Sequence, residues 1–285
     1  MKKQLILAAA GLTLVVILFV FGKTETNKIK SAAIMPQKAV KSFNISQFIT
    51  DVKQKLTPAQ NLTLGKLENS VTRGDVKNQQ ITANNQLAAY WKDSIRSFEP
   101  YIYYLSEAAK LENSEKNLTF AAQLILDNLR GEPDEAKLNW EAENAIQLFE
   151  QALQLNPESD DLKIGLGSCY IYGKGRMGKP EEAMKGIQQL LSVVRKDSTN
   201  MKAQLVLGVG GFVSGQYDKA IDRLQKVIAA EPGNMEAIAY LADTYASKGN
   251  KAEAVKWYTV LKKVANNPEY TKQIDERIKM LQEEK

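Results

Sequence analysis

Apolar and polar residues alternate in two contrasting ways along this chain. From Leu5 to Gly22 the run LILAAAGLTLVVILFVFG carries no charge. At 1.5 Å per residue, about 18 residues of helix nearly cross a roughly 30 Å hydrocarbon layer. Beyond Ile45 the apolar positions are interleaved with charge in a helical pattern. In the segment 269–282, for example, Ile274, Ile278 and Leu281 share one face and charges occupy the other. No alternating run rich in Val, Ile and Thr and bounded by turn residues occurs, so strands are not expected. Pro58, Pro100, Pro133, Pro157, Pro180, Pro232 and Pro268 fall at segment edges, where first turns and connections tolerate them. The pattern predicts an all-α chain. Its expected parts are an apolar anchor over 1–22, a flexible basic linker over 23–43, diverged helical segments over 44–116, regular ones over 117–268, and a capping helix over 269–285.

The apolar run ends in Phe-Val-Phe-Gly-Lys without the small residues of a cleavage site, and the nearest pair, Ala32-Ala33, lies well downstream. An uncleaved single-pass anchor through residues 5–22 is therefore expected, with a cleaved signal and an exported soluble protein as the alternative. Lys2 and Lys3 precede the run, while Lys23, Lys28, Lys30, Lys38 and Lys41 follow it, so the charge rule does not settle orientation. The short basic start is the usual secretory arrangement. It places the folded part on the periplasmic side of a bacterial inner membrane, with the cytoplasmic side as the alternative.

The helical part repeats itself. The segments starting at Met201 and Met235 align at an offset of 34 residues. Ala203 then meets Ala237, Leu207 meets Leu241, Gly208 meets Ala242, Gly215 meets Gly249, Ala220 meets Ala254, and Leu224 meets Tyr258. A third copy has DDLKIGLGSCYIY from Asp160 and PEEAMKGIQQLLSVV from Pro180, with an insertion between them. Before it, AENAIQLFEQALQLNPES places Ala145, Phe149, Ala152 and Pro157 at the spacings of a second helix.

These residues resemble the tetratricopeptide repeat family, whose pattern is L-G-x₂-Y, then A-x₃-F and a closing Pro. LGSCY at 166–170 and LADTY at 241–245 match the first part, and Ala145 with Phe149 and Pro157, or Ala220 with Leu224 and Pro232, the second. The resemblance covers roughly 117–268. It implies a tetratricopeptide-type helix-turn-helix solenoid with a concave inner face, of about three to five repeats including degenerate ones upstream. Small residues at the eighth and twentieth repeat positions (Gly167, Gly208, Ala242; Ala183, Ala220, Ala254) suit close approach of paired helices, and neighbouring pairs must stack to bury their apolar faces.

Composition narrows the chemistry. The 285 residues are 44% hydrophobic and 25% charged, and the net charge of +5 is spread without a block of one sign. A nucleic-acid footprint is therefore not expected. There is no histidine, which removes the commonest general base and most transition-metal sites. The single cysteine, Cys169, sits in an apolar context and reads as core. Paired acids such as Asp160-Asp161 and Glu181-Glu182 open helices, where they complement the macrodipole. No catalytic residue, cofactor or metal ligand is expected, and the chain is read as a non-enzyme that binds protein.

The stretch QLVLGVGGFVSGQYDKAI tests that reading, because glycines stand at 208, 210, 211 and 215. A dinucleotide loop needs G-x-G-x-x-G, and its last position here is Val213. Gly208 belongs instead to helix packing and Gly215 to a turn. Gly210 and Gly211 each cost a helix about 1 kcal/mol relative to Ala, and Gly211 replaces the ring that Tyr170 and Tyr245 supply elsewhere. The missing ring leaves room that a neighbouring side chain, the 172–183 turn or a ligand is expected to fill, and a notch beside Phe212 is where a partner is first looked for.

For partners, the resemblance implies an inner face lined by first helices. Lys and Asn at the fifth and ninth positions, which one subclass uses to grip carboxylates, are replaced by Ile164, Leu205, Ala239 and by Ser168, Val209, Asp243. What remains is an apolar set: Ile171, Tyr172, Leu205, Val209, Phe212 and Tyr240. Either these receive a helical or extended apolar segment of a protein partner, or they pack against another part of the chain. The string YGKGRMGKPEEA (172–183) reads as a turn longer than in the other copies. Its Lys174, Arg176 and Lys179 either meet an acidic partner or lipid headgroups, or mark a tolerated insertion.

Overall fold

The computed structural model of the protein describes residues 42–73 and 76–283. The run Leu5–Gly22 and most of the linker lie outside the described residues. Among those described, no helix is long and apolar enough to cross a membrane, and there are thirteen α-helices and no strand. In chain order they are α1 (Ile45–Lys53), α2 (Pro58–Arg73), α3 (Lys77–Tyr90), α4 (Phe98–Glu112), α5 (Glu115–Leu129), α6 (Glu135–Leu155) and α7 (Asp160–Ser168). There follow α8 (Pro180–Lys196), α9 (Met201–Val213), α10 (Tyr217–Ala230), α11 (Met235–Ser247), α12 (Lys251–Ala265) and α13 (Pro268–Glu283).

The helices start where the sequence supplies acceptors for their first free N–H groups. Asn200 accepts from Ala203 N at 2.9 Å, and Asn234, one repeat later, accepts from Ala237 N at 2.9 Å. Ser114 and Ser159 do the same for α5 and α7. Helices α9 and α11 end on a left-handed glycine, Gly215 at φ 73° and Gly249 at φ 83°. The next amide then returns to the helix: Gln216 N donates to Gly211 O at 2.7 Å, and Asn250 N to Tyr245 O at 2.9 Å.

From α5 onward the helices pack in successive pairs, α5 on α6, α7 on α8, α9 on α10 and α11 on α12, and the first helices of neighbouring pairs also touch. The register of small and large residues explains how close they come. A Cβ added to Gly208 would lie 2.7 Å from the Leu224 side chain, and one on Gly167 would lie 2.8 Å from Leu190 Cγ. Leu190 and Leu224 are fully buried as a result, each contributing about 2 kcal/mol of transfer free energy. Ala183, Ala220 and Ala254 are equally buried.

Two sequence expectations are corrected. The missing ring at Gly211 leaves no notch: an added Cβ would meet the backbone of Ala220 at 3.1 and 3.2 Å, so α10 itself fills the space. Gly210 likewise accommodates Ile171 Cδ1, 2.8 Å from the ideal Cβ position. The 172–183 string is not a lengthened turn either. It prolongs α7 through a π-helical turn (Cys169–Lys174) and a 3₁₀ turn (Gly175–Met177), and the chain reverses only at Gly178, φ 71°. Gly173 permits this, since a Cβ there would sit 2.5 Å from Ala142 Cβ on α6.

Upstream, α1–α4 enclose a smaller cluster around Ile49, Leu64, Leu87 and the fully buried Trp91. Downstream, α13 packs on α12 in the position of a fifth first helix. Ile274 is buried at this contact with Ile278 and Leu281 packed beside it, while Glu276, Lys279 and Glu283 on the rest of α13 are exposed, so the outer side of this helix is charged.

Candidate functional site: the face of the first helices

The six apolar residues predicted to line the inner face do not share one environment. Ile171 and Val209 are fully buried in the main core, and Tyr172 is 2% exposed. Leu205, Phe212 and Tyr240 are half-buried. The Phe212 ring stands edge-on to Tyr240 at 5.6 Å and also approaches Tyr217 at 6.5 Å. The surface at this face is therefore an aromatic pair with Leu205 nearby, and the aliphatic strip beneath is sealed.

The three basic residues of the 172–183 string separate as well. Lys174 is buried and turns to α6, donating to Asn139 Oδ1 and Glu143 Oε1, each at 2.7 Å. Arg176 is exposed and donates to the carbonyls of Arg130 at 2.8 Å and Leu129 at 3.2 Å, the unpaired end of α5. Lys179 is half-buried at the N-cap of α8. The helical continuation after Ser168 produces this arrangement, by carrying the string inward over α5 and α6 rather than out into solvent.

Polar residues that the sequence reading did not single out complete the face. Arg130, one residue past α5, lies 3.2 Å from Glu236 in the first turn of α11. Tyr172 donates to the other oxygen of the same carboxylate at 2.6 Å, and the Arg130 guanidinium lies 4.5 Å over the Tyr172 ring. Burial, then the Glu236 charge, raises the Tyr172 phenol well above its ordinary range, and the same two causes push Tyr240 up to about 12. Both stay neutral donors at any physiological pH. Further along, Arg277 of α13 donates to the Tyr258 hydroxyl at 2.7 Å and pairs with Asp243 of α11 at 2.9 Å. They border a cleft of about 180 Å³ between α11, α12 and α13, which Ala239, Tyr270 and Gln273 also line.

Chemically, the face offers aromatic edges, amide and guanidinium donors, and carboxylates already held by cations. Among the described residues no three His, Cys, Asp or Glu side chains gather to hold a metal ion. Burial pushes the Cys169 thiol far up, away from the thiolate a nucleophile needs.

Comparison with known proteins fits this geometry. Residues 141–205 and 214–272 match the family model of the tetratricopeptide repeat, and the helix pairs over this stretch form a tetratricopeptide-like solenoid. The BBSome complex member BBS4 of Bos taurus is 28% identical over 130 residues, which is 46% of this chain. The match spans 24% of that protein, so the chain covers about a quarter of its curated relative. Among solved structures, the tetratricopeptide protein TTC0263 of Thermus thermophilus is similar over 70% of this chain and 98% of its own, with 18% identity and a TM-score of 0.47. MamA of Desulfovibrio magneticus RS-1 is similar over 67% of this chain and 96% of its own, with 20% identity and a TM-score of 0.46.

Proposed function

We propose that the chain is a membrane-anchored scaffold for protein–protein interaction, without catalytic activity of its own. It holds a helical or extended apolar segment of a partner on the face of its first helices. The observation that carries this reading is the half-buried pair Phe212 and Tyr240 beside Leu205, on the face that the repeat register turns inward. Aromatic side chains that are neither sealed nor free are the anchors that protein interfaces use most. The uncharged run Leu5–Gly22 supports anchoring, and the basic residues before it support a folded part on the periplasmic side of a bacterial inner membrane. Such an anchor confines the face to the membrane surface and raises its effective concentration there.

Photo-crosslinking in native membranes tests the reading. A cross-linking amino acid replaces Phe212 or Tyr240, and another replaces the exposed Lys226 on α10 as a control. The two face positions are expected to capture one common protein that Lys226 does not. Capture at Lys226 with none at the face would place the partner elsewhere. N-terminal sequencing of the mature protein checks the anchor, and a start beyond Gly22 would remove it.

A further inference from the structure

Two guanidiniums stand at one edge of the aromatic pair. Arg130 follows α5, and Arg176 lies in the 3₁₀ turn that prolongs α7. Both are exposed, and Arg176 donates to the Arg130 carbonyl at 2.8 Å. This edge is continuous with the apolar part of the face. A Cβ on Gly175 would lie 3.2 Å from Val213 Cγ2, so the turn that carries Arg176 abuts the residue after Phe212. Burial and then Glu236 raise the Tyr240 phenol, and Arg176, Asp243 and Arg130 are the other charges near enough to act on it.

Positive charge and idle donors are in excess here. Arg176 donates only to backbone carbonyls, those of Leu129, Arg130 and Glu132, and no carboxylate among the described residues pairs with it. Arg130 meets Glu236 through one contact at 3.2 Å, and that carboxylate also accepts from Tyr172. Asp243 is matched by Arg277. The half-buried Tyr240 has no partner for its hydroxyl among the described residues. Two guanidiniums therefore share one carboxylate beside an unused phenol.

We propose that this edge receives an aspartate or glutamate side chain of the partner, while an apolar residue of the same segment packs on Phe212 and Tyr240. A guanidinium presents N–H groups in a fork that matches the two oxygens of a carboxylate, and the Tyr240 hydroxyl adds a neutral donor. The fifth and ninth positions of α7, α9 and α11 hold no basic residue, so the grip comes from the ends of first helices instead. In a segment that lies across the face, the carboxylate is a side chain rather than a chain end. The inference rests on the reading that a partner uses this face, and it adds the charge that the partner must carry.

The test uses the full-length chain in detergent and fluorescence polarisation of labelled peptide pools. The peptides are acetylated and amidated, with Leu fixed at the centre, Glu, Gln or Lys fixed two to four residues away, and the other positions randomised. The Glu pool should bind about tenfold more tightly than the Gln pool, the equivalent of one charge-assisted hydrogen bond, and the Lys pool more weakly than both. Arg176→Gln should remove most of that advantage and Arg176→Lys only part of it. Tyr240→Phe, which disturbs no helix end, should reduce it, and Lys226→Gln on α10 should leave it unchanged. Equal binding of the Glu and Gln pools overturns the proposal; if Phe212→Asp still weakens both, the docking reading stands without it. An advantage that survives both Arg176→Gln and Tyr240→Phe overturns it, as does one seen only in peptides with a free terminal carboxylate. A labelled short-chain phosphatidylglycerol is the competing probe. If it binds through Arg176 and no pool shows the advantage, the edge takes lipid headgroups and the proposal falls. If no pool binds at all, the docking reading falls with it.

Discussion

Replacing Glu141 with glutamine should stabilise the fold at pH 8 and leave it unchanged at pH 4. Glu141 lies on α6, is 0% exposed, and accepts one hydrogen bond, from Asn128 Nδ2 at 2.9 Å, while its Oε2 has no partner. Burial, followed by the charges of Glu132 and Glu99, pushes its carboxyl up to about 7, against the opposing effects of the Asn128 bond and Lys137. The folded chain therefore keeps this proton at pH values where the unfolded chain has lost it. The stabilising contribution is fully present below about 4.5, the ordinary value, and is lost as pH rises through about 7. At about 1.4 kcal/mol per pH unit of displacement, the ionised form costs roughly 3 kcal/mol above pH 8. Glutamine keeps the acceptor for Asn128 and cannot ionise. Urea unfolding followed by circular dichroism at pH 4, 6 and 8 is the assay. The parent should lose roughly 3 kcal/mol relative to Glu141→Gln across that range, a difference of several degrees in Tm. Parallel curves for the two proteins, or a variant less stable than the parent at pH 8, would refute the assignment of a buried, protonated carboxyl.

Glycine positions in the repeats should differ according to what faces them. A Cβ on Gly186 would lie 2.6 Å from the Gly167 carbonyl oxygen, which is backbone and cannot move aside. Gly186→Ala should therefore cost about 2 kcal/mol. At Gly210 the nearest atom is the tip of Ile171, at 2.8 Å. That side chain can shift, and alanine returns about 1 kcal/mol of helix propensity, so Gly210→Ala should lie within about 0.5 kcal/mol of the parent in urea midpoints. Arg176→Ala removes the donors to the Leu129 and Arg130 carbonyls. A loss of about 1 kcal/mol is expected, with faster amide exchange confined to the end of α5; unchanged exchange there would show that water replaces the cap.

Much of the fold was legible in the sequence because it is local and periodic. The 34-residue offset set Gly208 at a close-packing position between paired helices and Gly215 at a turn, and the structure places both there. The glycine cluster was correctly separated from a phosphate loop, but its packing partners were not foreseen. The room left at Gly211 was expected to be filled by a side chain, the 172–183 turn or a ligand, and it is the backbone and Cβ of Ala220 on α10 that close it. The continuation of α7 through 169–177 was hidden for a related reason. YGKGRMG has the composition of a turn, and only contact with Ala142 and Ala183 makes it pack as helix.

The sequence alone determined the helical class, the repeat register, the small residues between paired helices and the charged face that ends the array. Each of these depends on residues within about one repeat of each other, where spacing is enough to specify contact. Tertiary structure decided which inward positions reach the surface. Ile171 and Val209 are sealed while Phe212 and Tyr240 remain half-buried; Ile171, for one, is wedged against Gly186 on α8 and Gly210 on α9. Such burial depends on how neighbouring helix pairs stack, and no spacing within one repeat records it.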